Sequence, residues 1–362
     1  MNAAIVETVN VTREVAWLPW AVQYFFLIGL SYGAFALSLP GVVWRRPGWA
    51  GISRLALLGA LLCGLTAPVA LLSDLHQPAR FLNFYFHPNP SSWMAWGAFF
   101  IPVYLGGLCL YAWLALRPTF ATLAARPGLV GRIAGGLAMG GHESRRALMA
   151  AALLTGVGAA LVALYTGAEV MVVRARPLWD TPLLPVQFAV TAFAGAVGLT
   201  LLFNRFTGAQ PDPEATARLS RVLAVSQVVA LAVGVLWLAL GLTGLSETHA
   251  RALGELGGAF NWQITAVWAA GSALLTLYLA ARHPGTGLLT GLLALHATWM
   301  MRWTVFIGGQ EIPKTGAGLY QYHLPLGQDG LLGIIGTAGL WVALLVLITA
   351  LLPLDRLRRD AV

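Results

Sequence analysis

A chain of 362 residues would ordinarily divide into two or three soluble domains of about 100–200 residues each, but only 10% of this one is Asp, Glu, Lys or Arg. Ordinary soluble proteins carry about 25%, and 22 basic plus 14 acidic side chains cannot clothe a water-exposed surface of this size. With 58% hydrophobic residues and a mean hydropathy of +0.74, the composition is that of an all-α, polytopic membrane protein.

In chain order, the apolar runs give nine spans, at 18–43, 54–73, 93–116, 147–172, 183–204, 219–243, 260–281, 287–308 and 329–352. At about 1.5 Å per residue each covers a hydrocarbon core of about 30 Å. Trp17, Trp20, Trp44, Trp93, Trp96 and Trp179 fall at span ends, as in an interfacial aromatic belt. Gly29 and Gly33 on the first span have GxxxG spacing, which permits close helix packing. The expected layout is a 1–17 extracytoplasmic segment, an 18–308 core of eight helices, a 309–328 extracytoplasmic loop, and a ninth helix with a cytoplasmic tail over 329–362. The third loop, 117–146, is Gly- and Arg-rich and reads as a solvated connection. The N-terminal segment lacks the basic stretch of a cleavable signal peptide.

Nine spans put the termini on opposite sides. Fifteen Lys and Arg fall on the side of the odd-numbered loops and the C-terminus, seven on the side of the N-terminus; acidic residues divide five to nine. The positive-inside rule therefore predicts the N-terminus outside and the C-terminus in the cytoplasm. The same distribution explains a pI near 10.0 without nucleic acid, because the arginines sit at helix ends rather than in one patch. Cys63 and Cys109 lie in apolar runs with no partner at CxxC spacing, which argues against a disulfide framework, a thiolate zinc site or an iron–sulfur cluster in this chain.

Ionisable groups are costly in a membrane, so their placement is informative. They collect at the outward ends of the spans, in SDLHQPARFLNFYFHPNPSSWMAWG, LYTGAEVMVVRARPLWDTPLLP and HATWMMRWTVFIGGQEIPKTGAG. Asp74, His76 and Arg80 offer a carboxylate, an imidazole and a guanidinium at a pocket mouth, or else a helix-ending Asp with a snorkelling Arg. Tyr165 and Glu169 share a helix face; Glu169 is either functional or paired with Arg174 or Arg176. Arg302 lies about one and a half turns before a Gly308–Gly309 break, with Thr298, Trp299 and Phe306 on its side, and needs a partner such as Glu169 or a ligand oxygen. Of seven histidines only His296 lies well inside a span, where it reads as a packed or hydrogen-bonded core residue. Transmembrane haem b needs facing histidines, so haem is not expected. No GxxxxGK[ST] motif supports nucleotide-driven transport.

Taken in order, YFFLIGLSYGAF, DLHQPARF, SSWMAWGAF, YTGAEVMVVRARPLW and MRWTVFIGGQ resemble the signature segments of the polysulfide-reductase membrane-subunit family, the NrfD/PsrC type. Nine spans with GGQEIPKTGAG look most similar to its tetrathionate-reductase branch. The resemblance implies a haem-free anchor in the bacterial inner membrane that oxidises a quinol, menaquinol or ubiquinol. Its implied partners, on the extracytoplasmic side, are a ferredoxin-like iron–sulfur subunit and a molybdopterin catalytic subunit. It places the quinone pocket on Tyr24, His76, Tyr165 and Arg302, with Asp74, Arg80, Glu169 and Arg176 nearby. Some relatives carry a histidine where this chain has Tyr24 and a glutamate where it has His76. His76 is then the best base by intrinsic pKa, with Asp74 or Glu169 relaying protons outward, and an apolar slot among the first four long helices would bury ring and tail. The same chemistry run backwards, a transporter and a purely structural anchor are the alternatives. A transporter would instead show broken helices and ionisable groups meeting at the midplane.

Overall fold

The computed structural model describes residues 16–75, 77–140, 144–206, 211–312, 320–354 and 357. These form helices α1 (Pro19–Val42), α2 (Ala50–Asp74), α3 (Asn83–Phe86), α4 (Trp93–Leu123), α5 (Leu129–Leu137), α6 (Arg145–Met171), α7 (Leu183–Phe206), α8 (Pro213–Leu242), α9 (Glu247–Leu256), α10 (Phe260–Arg282), α11 (Gly287–Glu311) and α12 (Leu331–Leu351), with short 3-10 turns at Pro78–Leu82 and Pro284–Thr286. Among the described residues the nine long helices coincide with the nine apolar runs.

Their ends differ from the hydropathy boundaries for local reasons. Helix α8 begins at Pro213 rather than 219, because Asp212 caps it by accepting from the N–H groups of Glu214 and Ala215 and proline suits the first helical position. Helix α6 is capped by Ser144, whose Oγ accepts from Ala147 N at 3.2 Å. Eight of the nine are long and apolar enough to cross a bilayer; α11, which carries Arg302, His296 and several threonines, is as long but less apolar.

The helices pack as two groups of four. Helices α1, α2, α4 and α6 form one and α7, α8, α10 and α11 the other, joined mainly where α7 packs against α1, α6 and α2 and where α1 meets α11. Gly29 and Gly33 make that approach possible, since a Cβ on either would sit 3.0 Å from Ala192 or Phe193 of α7. Helix α12 lies outside the first group, against α1 and α2, and turns most of its surface outward. The short helices sit in the connections. Amphipathic α5 occupies the third loop, where Leu137 O accepts from Trp113 Nε1 at 2.8 Å, so this loop is partly folded rather than a plain solvated link. Helix α9 buries Ala252 and Leu256 against the second group. Its His249 is bonded to Ser246 Oγ at 2.6 Å and Thr181 Oγ1 at 2.9 Å, and burial pushes the imidazole below its usual range, against an opposing pull from Asp180.

Two expectations change. Gly308–Gly309 is not a break: α11 runs through it to Glu311. The glycines instead admit two indoles, because a Cβ would overlap Trp262 at Gly308 and Trp179 at Gly309. Trp179, in turn, is not an interfacial residue. It is 2% exposed, donates from Nε1 to Val305 O at 2.6 Å, and packs in an aromatic cluster with Trp17 and Phe306. Trp44 and Trp96 do face outward. Overpacking of this kind costs about 1–3 kcal/mol, so Gly309→Val is expected to lower the thermal unfolding midpoint in detergent. An unchanged midpoint would show that the indole can move aside freely.

Candidate functional site

The polar interior begins on α1. Tyr24, Ser31 and Ser38 recur every seven residues on one face, and each meets a tyrosine of the same helix group. Tyr24 Oη is 3.1 Å from Tyr165 Oη of α6, Ser31 Oγ is 2.7 Å from Tyr104 Oη of α4, and Ser38 Oγ is 3.0 Å from Tyr111 Oη. All six residues are buried, as expected where no water exists to satisfy an unpaired hydroxyl.

The outermost rung carries the carboxyl groups. One turn beyond Tyr165, Glu169 lies on the same face close to its hydroxyl and is 9% exposed. Asp74, at the end of α2, lies close enough for its charge to act on Glu169, and its Oδ1 accepts from Leu18 N at 3.0 Å. The Tyr165 ring fits only because residue 97 is glycine: a Cβ there would overlap the ring at Cε2. That assigns a physical role to the glycine of SSWMAWGAF.

Arg302 is fully buried on the far side of α1. Its Nη1 donates to Thr191 Oγ1 and its Nη2 to Phe188 O at 2.7 Å, while its Cζ stands 4.7 Å from the Phe188 ring centroid. Tyr32 stands beside both the guanidinium and Thr166. The expected pairing of Arg302 with Glu169 does not occur; its partners are the Thr191 hydroxyl, the Phe188 carbonyl and the Met301 sulfur, and its Nε has none. The expected partners of Glu169 are elsewhere too. Arg174 is exposed, and Arg176 donates to Ile312 O at 2.9 Å and Gly309 O at 3.2 Å, where a cation satisfies the C-terminal carbonyls of α11. Burial lowers the Arg176 pKa from the usual arginine value.

The structure therefore brings together Tyr24, Tyr165, Glu169 and Asp74, links Arg302 to them only by way of Tyr32, and leaves Arg176 on the α11 terminus. Arg80 stands on the exposed 3-10 turn, with Nη1 2.8 Å from Gln77 Oε1. His76 lies outside the described residues. Sequence reasoning missed Tyr32, Thr191 and Gln310. Tyr24 and Tyr32 do share a face at i,i+8 spacing, which was a usable signal; Thr191 offered none. Gln310 fastens the chain before α1 to the end of α11, accepting from Trp17 N at 2.9 Å and donating to Trp17 O at 2.8 Å. His296 is bonded, as read, accepting from Trp268 Nε1 at 2.7 Å.

Two cavities flank these residues. A cleft of about 370 Å³ at the outer end of α2 is lined by Leu75, Gln77, Arg80, Phe81, Asn83 and Phe84. A pocket of about 340 Å³ lies among α7, α8, α10 and α11. Neither is lined by Tyr24 or Tyr165, whose phenols are bonded to each other. No group of three or more His, Cys, Asp or Glu among the described residues could hold a metal ion.

Residues 7–314 match the family model described as polysulphide reductase, NrfD. The chain belongs to that family. Among NrfD-type relatives it is 37% identical over 342 residues to a subunit of the tetrathionate reductase of Salmonella typhimurium strain LT2, covering 93% of this chain and 92% of the relative. It is 29% identical over 219 residues to a subunit of the selenate reductase of Mesobacillus selenatarsenatis, covering 56% and 51% of the two chains. The NrfD match contains α1 through α11, and with them every site residue named above; α12 follows it.

The hydroxyl pair at the top of this NrfD-type interior is directly testable. In a Tyr24→Phe/Tyr165→Phe double-mutant cycle read by denaturation in detergent, each single change strands a buried hydroxyl and costs about 1–3 kcal/mol. The double change is expected to cost less than the sum of the two. Strict additivity would mean the hydroxyls do not interact.

Proposed function

We propose that this chain is the quinol-oxidising membrane subunit of a respiratory reductase in the bacterial cytoplasmic membrane. It would hand electrons to an extracytoplasmic ferredoxin-like iron–sulfur subunit and through it to a molybdopterin subunit. Membership of the NrfD family supports this reading, and so does the chemistry of one cluster: two phenols and two carboxyl groups at the same ends of α1, α6 and α2. Tetrathionate is the proposed terminal substrate, on the strength of the near full-length similarity to a subunit of a tetrathionate reductase. All nine long helices, α11 included, are taken to cross the membrane, with the N-terminus outside in keeping with the arginine distribution.

The observation that carries the assignment is the Tyr24–Tyr165 contact with Glu169 behind it. The donor set fits a quinol: each phenol can donate one hydrogen bond and accept others, so the pair can part and hold a ring oxygen between them. A quinol supplies two electrons and two protons, and its hydroxyl becomes far more acidic as each electron leaves. Glu169 is placed to take the proton through Tyr165, and Asp74 to pass it outward. His76, two residues from Asp74 in sequence, remains the further candidate base. Arg302 holds α1 and α7 in register behind the cluster, and the cleft beside Arg80 is the proposed way in from the lipid.

General acid–base groups contribute about 10²–10⁴-fold, so Tyr165→Phe and Glu169→Gln should each lower quinol-driven turnover at least about a hundredfold. Reduction of the terminal substrate by a viologen dye should persist, since it bypasses this subunit. Wild-type quinol turnover in both variants, with the complex assembled, would sink the assignment.

A further inference from the structure

The pocket among α7, α8, α10 and α11 is not part of the Tyr24–Glu169 cluster, and its walls show why it exists. Ala266, Ala269, Ala270 and Ala273 line it at i, i+3, i+4 and i+7 spacing, so one whole face of α10 withdraws from the helices opposite. At about 340 Å³ it is in the size range of small-molecule sites.

The polar atoms left without a partner collect at one end. Gln187 Oε1, Trp237 Nε1 and Trp262 Nε1 are each removed from solvent and without a hydrogen-bond partner, and all three residues line the pocket. Gln187 is four residues from the start of α7, Trp262 two from the start of α10 and Trp237 five from the end of α8, which places them at one level near the outer ends of their helices. Below them the walls are mainly apolar down to Ala194, Ala273 and Ala297, interrupted by Thr191, Thr298 and Gln227. From Leu183 to Ala194 the slot is about 16 Å deep at 1.5 Å per residue. Three unpaired polar atoms in a membrane interior are expensive, and a ligand able to pair with them relieves that cost.

We infer that this pocket holds a second prenylated quinone, with ring oxygens accepting from the indole N–H groups of Trp237 and Trp262 and the tail lying along the alanine face of α10. Charge decides against a phospholipid. No lysine or arginine lines the pocket to meet a phosphate, and an acyl chain alone leaves both indoles unpaired. The Gln187 amide presents either its oxygen or its NH₂, so the oxidised and the reduced ring can both be accommodated. No carboxyl or imidazole lines the pocket, so no side chain there can take a proton from a quinol. The site is therefore one of residence rather than turnover. It is not isolated: Thr191 and Met301 line it and are also partners of Arg302, beside which stands Tyr32 of α1.

The test uses the complex purified from its native membrane in mild detergent, a photoreactive azido-quinone, and mass-spectrometric mapping of labelled peptides. Peptides of α8 and α10 are expected to be labelled in the wild type. Ala270→Trp, which fills the pocket, should reduce that labelling at least tenfold and lower the extractable quinone per chain, with quinol-driven turnover unchanged within twofold. Should that variant fail to assemble, Trp237→Phe/Trp262→Phe, which keeps the rings and removes both donors, should reduce the labelling several-fold. Absence of label on α8 and α10 in the wild type, undiminished label in an assembled variant, or recovery of a phospholipid from the pocket would each overturn the inference. Loss of turnover in Ala270→Trp would overturn the residence role, whereas loss in Tyr165→Phe alone leaves it standing, so the two sites fail separately.

Discussion

Arg302 sits where a guanidinium is hardest to place, fully buried, and its partners are the Phe188 carbonyl, the Thr191 hydroxyl and the Met301 sulfur rather than a carboxylate, with its Nε left unpaired. Phe188 and Thr191 come from α7, and Tyr32 of α1 stands beside the guanidinium. The charge is thus stabilised by aligned dipoles, and the alignment requires α1, α7 and α11 to keep one relative position. Removing a partner strands a donor where no water can replace it, so the seam between the two helix groups is specified by hydrogen-bond demand as much as by packing. The same demand recurs along the interior. The serines of α1 pair with Tyr104 and Tyr111, threonines bond back to the carbonyl four residues earlier, and Gln310 closes both ends of its amide on Trp17.

With that seam fixed, the functional groups distribute simply. Tyr24 and Tyr165 face one another on the first helix group, with Glu169 one turn further along α6 and Asp74 at the end of α2 beside them. The alanine-walled pocket opens on the second group. Arg302 and its partners stand between the two, touching both sides but lining neither the phenol pair nor the base groups. The phenol and carboxyl cluster and the alanine-walled pocket are thus lined by different residues, with Arg302 between them.

The nine long helices were legible because hydrocarbon thickness imposes a run length that no other constraint mimics. Connection helices α5 and α9 were not, since nine or ten residues of amphipathic pattern are judged only against the surface they meet. The GGQ segment shows the limit clearly: glycine pairs near a helix end suggest a break, yet here they admit Trp179 and Trp262 without interrupting the helix. Tyr24, Tyr165 and Glu169 could be picked out because polar groups in apolar runs are conspicuous. The partners of Arg302 could not, because a backbone carbonyl such as that of Phe188 leaves no trace in composition, and a threonine in a helix looks alike whether it bonds only its own turn or also meets a guanidinium. Arg176 was misplaced for a related reason: its partners are the last carbonyls of α11, which any sequence would supply.

The most direct test of the phenol pair as the quinol site is to locate a tight-binding quinol analogue, such as a hydroxyquinoline N-oxide, by electron cryomicroscopy of the intact complex. A quinol site there predicts density between α1 and α6 within hydrogen-bonding distance of the Tyr24 and Tyr165 hydroxyls, with their mutual 3.1 Å contact opened. Density confined to other parts of the molecule, with that contact still closed in an inhibited complex, would contradict it.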